Sequence, residues 1–106
     1  ANNLGAIYMN RKRHPEAIAL FTKAISANPQ QVNAYSNLGR AYFYSRQYAN
    51  CIDIFIKEFN LSHNPVNIPY IAKSYEMLGK TSEAQQYEAL AKKYYPAFKM
   101  SDVKLD

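Results

Sequence analysis

The side chains that first suggest chemistry are His14, His63, Cys51 and the acids Glu83 and Glu88. A metal site needs several His, Cys or carboxylate ligands at fixed spacings, and neither histidine has a second such ligand within reach. His14 precedes Pro15 and reads as a helix-start residue, while His63 falls in a loop. Cys51 occupies a small phase of a helix that should be buried. Inert packing is the default there, against the alternative of a reactive thiol. No nucleophile elbow, phosphate-binding loop or paired acid occurs. Glu83 and Glu88 read as solvated helix-surface charges. The sequence therefore assigns no catalytic residue, no metal and no cofactor.

The elements that must position these residues repeat. Ala34-Tyr35-Ser36-Asn37-Leu38-Gly39-Arg40-Ala41-Tyr42 has an echo 34 residues upstream in Asn3-Leu4-Gly5-Ala6-Ile7-Tyr8. The same displacement takes Ala17 to Cys51 and Phe21 to Phe55. A third copy follows at a spacing of 33, with Ala41-Tyr42 matched by Ser74-Tyr75 and Cys51 by Ala84. Self-similarity at this period marks a helical repeat array.

Composition fits one domain: 106 residues, 48% of them apolar, with ten tyrosines and no tryptophan. Tyrosine can fill a helix interface while its hydroxyl stays in a wet groove. The net charge of +5 favours acidic partners only weakly, because apart from Arg11-Lys12-Arg13 the basic residues are spread along the chain. A nucleic-acid footprint needs them clustered on one face. The basic triplet itself stands at a helix C-terminus, where each cation gains roughly 0.3–1 kcal/mol from the helix dipole at best. That structural role is preferred to an acidic-ligand patch. No apolar run approaches the roughly 18 residues of a membrane span. A lone cysteine cannot form an internal disulfide, so the compartment is open, with the cytoplasm only a default. The chain starts at Ala1, inside a repeat, so its N-terminus reads as cut and any targeting segment is out of view.

Apolar spacing predicts helices in order. The first covers residues 1 to about 12 through Leu4, Ile7 and Tyr8. The second starts at Pro15, carries Ala17, Ile18, Phe21, Ala24 and Ile25, and stops at Asn28-Pro29. The next two, about 32–45 and 48–60, are joined closely enough to be antiparallel neighbours. Pro65 and Pro69 delay the fifth to Asn67 or Ile68, with Gly79 as its left-handed terminator. Thr81 or Ser82 should cap the last, which ends near Tyr94, before Pro96. There the apolar stripe of Ile18/Ile52, Phe21/Phe55 and Ile25/Phe59 becomes Gln85, Glu88 and Lys92, which reads as a C-terminal cap. The tail 97–106 either folds back as a short helical turn or stays mobile.

The pattern resembles the tetratricopeptide repeat family over residues 1 to about 96. The resemblance is carried by Leu4, Gly5, Tyr8, Ala17, Phe21, Ala24 and Pro29 in the first copy. Tyr35, Leu38, Gly39, Tyr42, Cys51 and Phe55 carry it in the second. The third copy is weaker, with Ile71, Ala72, Tyr75, Gly79, Ala84, Ala91 and Pro96. The small residues Gly5, Gly39 and Ala72 share one phase, and Ala17, Cys51 and Ala84 another, so two helices can approach closely at each. The pentatricopeptide type, an RNA reader, is the alternative. The prolines after the second helix of each pair favour the tetratricopeptide reading. The resemblance implies an all-α fold of antiparallel helix hairpins stacked as a right-handed superhelical solenoid. The expected repeats are about 1–31 (truncated at its start), 32–64 and 65–96, followed by a C-terminal tail at 97–106.

In that family the first helix of each hairpin lines a concave face that binds peptides, which implies a polar groove here. Its expected contributors are Asn3 and Asn10 from the first repeat, Asn33, Asn37, Arg40, Phe43 and Tyr44 from the second, and Tyr70, Lys73 and Met77 from the third. Asn3 and Asn37 stand in identical Asn-Leu-Gly contexts, like the asparagine ladder of arrays that grip a peptide backbone, since an amide donates and accepts at once. The bland alternative is an asparagine tolerated on a wet face. Tyr70 stands where a third rung would be. The family's terminal-carboxylate clamp for chaperone tails is not matched: Asn37 fits, but Asn2, Ala6, Val66 and Tyr70 hold its other places. Arg40 and Lys73 at equal phase still favour an acidic peptide.

The expected function is a protein- or peptide-binding scaffold or adaptor module of a larger protein, and not an enzyme. The alternatives are self-association or a spacer role through exposed repeat edges, and a targeting arm for an enzyme encoded upstream.

Overall fold

The computed structural model describes residues 14–105, so the expected first helix, Asn3, Asn10 and the basic triplet lie outside the described residues. Five α-helices run in order: α1 (His14–Ala27), α2 (Val32–Tyr44), α3 (Tyr48–Ser62), α4 (Ile68–Met77) and α5 (Thr81–Tyr94). Two 3₁₀ turns, Pro65–Asn67 and Met100–Asp102, complete the secondary structure, and no strand occurs among the described residues. Each helix packs on the next in sequence, from α1 on α2 through to α4 on α5. The connections are short, so successive helices must run antiparallel. The fold is a helical repeat solenoid.

Helix ends follow local chemistry. After α1, Asn28 Oδ1 accepts the Gln30 N–H at 3.2 Å beside Pro29. Arg46 after α2 is left-handed at φ 66°. Its N–H donates to the Phe43 carbonyl at 3.1 Å, and the Gln47 N–H donates to Tyr42 at 2.8 Å. Gly79 does the same after α4 at φ 75°, with Gly79 N–H on Glu76 and Lys80 N–H on Tyr75, both at 3.0 Å. Both ends are therefore closed by the same pair of bonds, which satisfies the last carbonyls of each helix. Pro65 and Pro69 produce the expected delay: a 3₁₀ turn capped by Asn64 Oδ1, then α4 with Pro69 in its first turn. One expectation fails. Neither Thr81 nor Ser82 caps α5, because Lys80 holds that position with no side-chain cap bond. The Lys80 N–H has just closed α4, so the chain enters α5 at once.

The core forms where large side chains meet small ones. Ala17 and Phe21 of α1 pack on Leu38 and Ala41 of α2, with Ile18, Ile25, Tyr42 and Ile54 around them. Cys51, Ile52 and Phe55 of α3 join Phe43 and Ile71. Gly39 is required: a Cβ there would lie 2.7 Å from Phe55 Cδ1. The tail folds back. Phe98 is buried on Ile68 and Ala91, with Met100 and Val103 beside it. On α5, Gln85 and Lys92 are exposed, and Glu88 pairs with Lys92 at 3.6 Å.

Candidate partner-binding face

Helix α2 buries Ala34, Tyr35, Leu38, Gly39, Ala41 and Phe43 against its neighbours. Among the residues that remain, four form a stripe at i, i+4, i+7 and i+11: Asn33, Asn37, Arg40 and Tyr44. These four lie on one helix face. Asn33 is exposed and the other three are half-buried. On α4 the corresponding stripe is Tyr70, Lys73 and Met77, with Tyr70 and Lys73 half-buried and Met77 exposed.

The start of α4 and the residue before it meet α2 toward each of its ends. Tyr44 and Tyr70 share a hydroxyl–hydroxyl bond of 3.2 Å, with their rings edge-on at 6.3 Å. Toward the other end, Asn67 Nδ2 donates to Ser36 Oγ at 3.0 Å. Lys73 and Arg40 share no carboxylate among the described residues. Lys73 binds Glu76 one turn along its own helix at 2.8 Å.

Phe43 corrects the sequence reading. It was expected in the groove, but it is 1% exposed and belongs to the core. At roughly 100° per residue it sits about 80° round the helix from Asn33. That places it on the flank turned to α4, where Tyr70, Tyr44 and Tyr48 close over it edge-on at 5.0, 5.2 and 5.6 Å. Ser36 lies on the same flank, two turns earlier.

Ser36 leads to the residues that sequence reasoning missed. Glu58 on α3 is 2% exposed, and its carboxylate accepts from Ser36 Oγ and from Asn67 Nδ2, the latter at 2.8 Å. Asn67 is equally buried, and its Oδ1 has no partner. Asn67 holds the N-cap position of α4 yet makes no cap bond, because its amide turns inward to Glu58. A signal existed. Glu58 stands at the phase that Ala24 and Ala91 fill in the neighbouring copies, and a carboxylate at an alanine phase needs donors.

Cys51 is a packing residue. Burial pushes its thiol up to about 12, opposed in part by Ser74, whose Oγ donates to Sγ at 3.4 Å. No group of His, Cys, Asp and Glu among the described residues is placed to hold a metal. No helix among them is long and apolar enough to cross a membrane. The face itself offers amides, hydroxyls and one guanidinium that has no counter-ion among the described residues.

Comparison with known proteins agrees with this architecture. A family model described as TPR repeat matches residues 3–44. Superkiller complex protein 3 of Homo sapiens is 31% identical over 100 residues, and that of Mus musculus is 29% identical over the same length. Each match covers 90% of this chain but only 6% of the relative. Among solved structures, the MamA D159K mutant superposes with a TM-score of 0.83 at 26% identity, covering 94% of this chain and 56% of MamA. The MamA AMB-1 structure gives 0.81 at 26% identity, covering 92% and 54%. The chain thus spans a small part of its curated relatives and about half of MamA. Modules of this fold typically serve protein–protein interaction and carry no catalysis. By its repeat, its fold and these relatives, the chain belongs to the tetratricopeptide repeat family.

Proposed function

We propose that this chain is a non-catalytic scaffold or adaptor module of a larger protein, made of three repeats at about 1–31, 32–64 and 65–96. Its α2–α4 face binds an extended segment of a partner protein. One observation carries the proposal: α1, α3 and α4 leave Asn33, Asn37 and Arg40 unclaimed along one stripe of α2. An amide such as that of Asn37 can pair with both the N–H and the C=O of a peptide, so it grips backbone in either sense. Tyr44 and Tyr70 supply rigid, amphipathic contact area one turn further on. The complex in the name of Superkiller complex protein 3 fits a scaffolding role. It is a property of that relative and enters here as an analogy.

The test is selection from a random-peptide display library on the folded chain, followed by amide-shift mapping with a selected synthetic peptide. Shifts centred on Asn33, Asn37, Arg40, Tyr70 and Lys73 support the proposal. Shifts confined to α1, or to the outer side of α5 around Gln85 and Lys92, overturn it.

A further inference from the structure

We infer that the segment occupying this face is proline-rich and lies on it as a left-handed polyproline helix. The inference rests on the α2–α4 face being the binding surface, and it names the occupant's chemistry. Tyr44 of α2 and Tyr70 of α4 form an aromatic notch. Their ring planes cross at 81°, with centroids 6.3 Å apart, and the 3.2 Å hydroxyl bond holds that angle. Phe43 lies behind them, 1% exposed and edge-on to Tyr44 at 5.2 Å and to Tyr70 at 5.0 Å. Phe55 also packs on Tyr70, at 5.5 Å and 30°. The two rings are therefore fixed before a ligand arrives. With Phe43 already behind them, the notch is too shallow for a long aliphatic or aromatic anchor. A pyrrolidine ring is short and flat-sided and packs on tyrosine faces. Aromatic-lined grooves are a general means of holding a polyproline helix.

Hydrogen bonding points the same way. The Arg40 Nε–H is buried and has no hydrogen-bond partner, and Arg40 enters no ion pair among the described residues. Helix α2 carries no acid of its own. Native proteins keep few buried donors unpaired, and each asks for an explanation. Proline has no N–H, and a polyproline helix makes no internal hydrogen bond. A proline-rich backbone thus presents carbonyl oxygens and almost no donors. The Arg40 guanidinium and the Asn37 amide turn the positive ends of their N–H dipoles to those negative oxygens, so face and ligand are complementary in charge. An α-helical ligand has most of its carbonyls taken by its own N–H groups, and an ordinary extended one brings as many donors as acceptors.

The spacing fits as well. Arg40 stands one turn before Tyr44 on the same side of α2, and Asn37 about one turn before that. Asn37 and Tyr44 are thus about 10 Å apart along the helix. One three-residue turn of a polyproline helix advances about 9 Å. A proline ring seated between Tyr44 and Tyr70 therefore sets the carbonyls of the adjoining turn over Arg40 and Asn37. The ligand is stiff before it binds and the rings are fixed, so little freedom is lost on either side.

The probes are nonaproline and a glycine–serine peptide of the same length, both capped at each end. Each is titrated into the folded chain while the Tyr44 and Tyr70 ring resonances and the Arg40 Nε–H resonance are followed. Nonaproline should shift all three, and the glycine–serine peptide should shift none. Tyr70→Leu keeps apolar bulk but removes a wall of the notch, and should weaken nonaproline binding about tenfold. Tyr44→Phe should weaken it only a few-fold, because the ring stays while the hydroxyl bond goes. Lys23→Gln, on the exposed side of α1, should leave it unchanged. If Tyr70→Leu unfolds the chain, the wild-type shifts with the two probes decide alone. Nonaproline that leaves the rings and the Nε–H unmoved, or that binds Tyr70→Leu as well as wild type, overturns the inference. So does a glycine–serine peptide that shifts the same resonances equally. A library-selected peptide without proline that still maps to α2 and α4 would then leave the binding face standing, whereas its absence would remove both.

Discussion

Asn67 donates to Glu58 across 2.8 Å, and by doing so it joins the entry of α4 to the last turns of α3. Its amide also reaches Ser36, so one side chain ties three elements together. Both residues are 2% exposed. A buried carboxylate that loses one of its two donors is expensive, so Asn67→Ala should cost about 1–3 kcal/mol. Glu58→Ala in the Asn67→Ala background should recover part of that loss, since the uncompensated charge goes too. Thermal melts of both single variants and the double variant form the cycle. Additive losses would show that the two residues do not act together.

Gly39 and Ala72 hold the same phase on α2 and α4, and Gly39 faces the Phe55 ring. Gly39→Ala should destabilise by about 1–3 kcal/mol through overpacking on Phe55. Phe55→Leu in the same background should restore part of it. Denaturant titration reads both, and a neutral Gly39→Ala would mean that the ring moves aside freely.

Arg46 and Gly79 close α2 and α4 with the same pair of backbone bonds and nearly the same positive φ. A left-handed residue with a Cβ carries about 1–2 kcal/mol of strain. Arg46→Gly should therefore stabilise the chain by about 0.5–1 kcal/mol, and Gly79→Ala should destabilise it by about 1 kcal/mol. The space beside Gly79 is open, so its loss would come from the backbone alone. A shift in melting temperature of a few degrees in opposite senses is the expected result.

Cys51 sets an alkaline limit. Burial raises its thiol from 9.0 to about 12, so between those values the folded chain keeps a proton that the unfolded chain releases. Stability from this source is complete below pH 9 and is lost as pH rises toward 12, at up to about 1.4 kcal/mol per pH unit. Cys51→Ala should flatten that limb relative to wild type. A thiol reagent at pH 8 should label Cys51 only after unfolding, and rapid labelling of the folded chain would contradict its burial.

Much of the fold was legible because its signals are local. The 34-residue echo, the prolines at 65 and 69 and Gly79 each act within a few residues of where they stand. The stop at Arg46 was less legible, since the left-handed turn there is imposed on a residue that does not favour it. The face was legible as a stripe on α2 but not in its edges. Phe43 lies on the flank, and whether a flank residue is core or groove depends on how α4 arrives, which no spacing within α2 encodes. Glu58 and Asn67 needed the same long-range information. Asn67 carries the residue type of a cap, and only the fold shows that it is used for Glu58.

The central claim is that a partner segment binds along α2 and α4 through Asn37 and Arg40. Its most direct test is calorimetric: the affinity of a library-selected peptide for the wild-type chain and for the Asn37→Ala, Arg40→Ala double variant, with melting temperatures recorded for each. The account predicts at least about a tenfold loss of affinity with little change in stability, as expected for side chains that are not part of the core. Equal affinity in a folded double variant would contradict it.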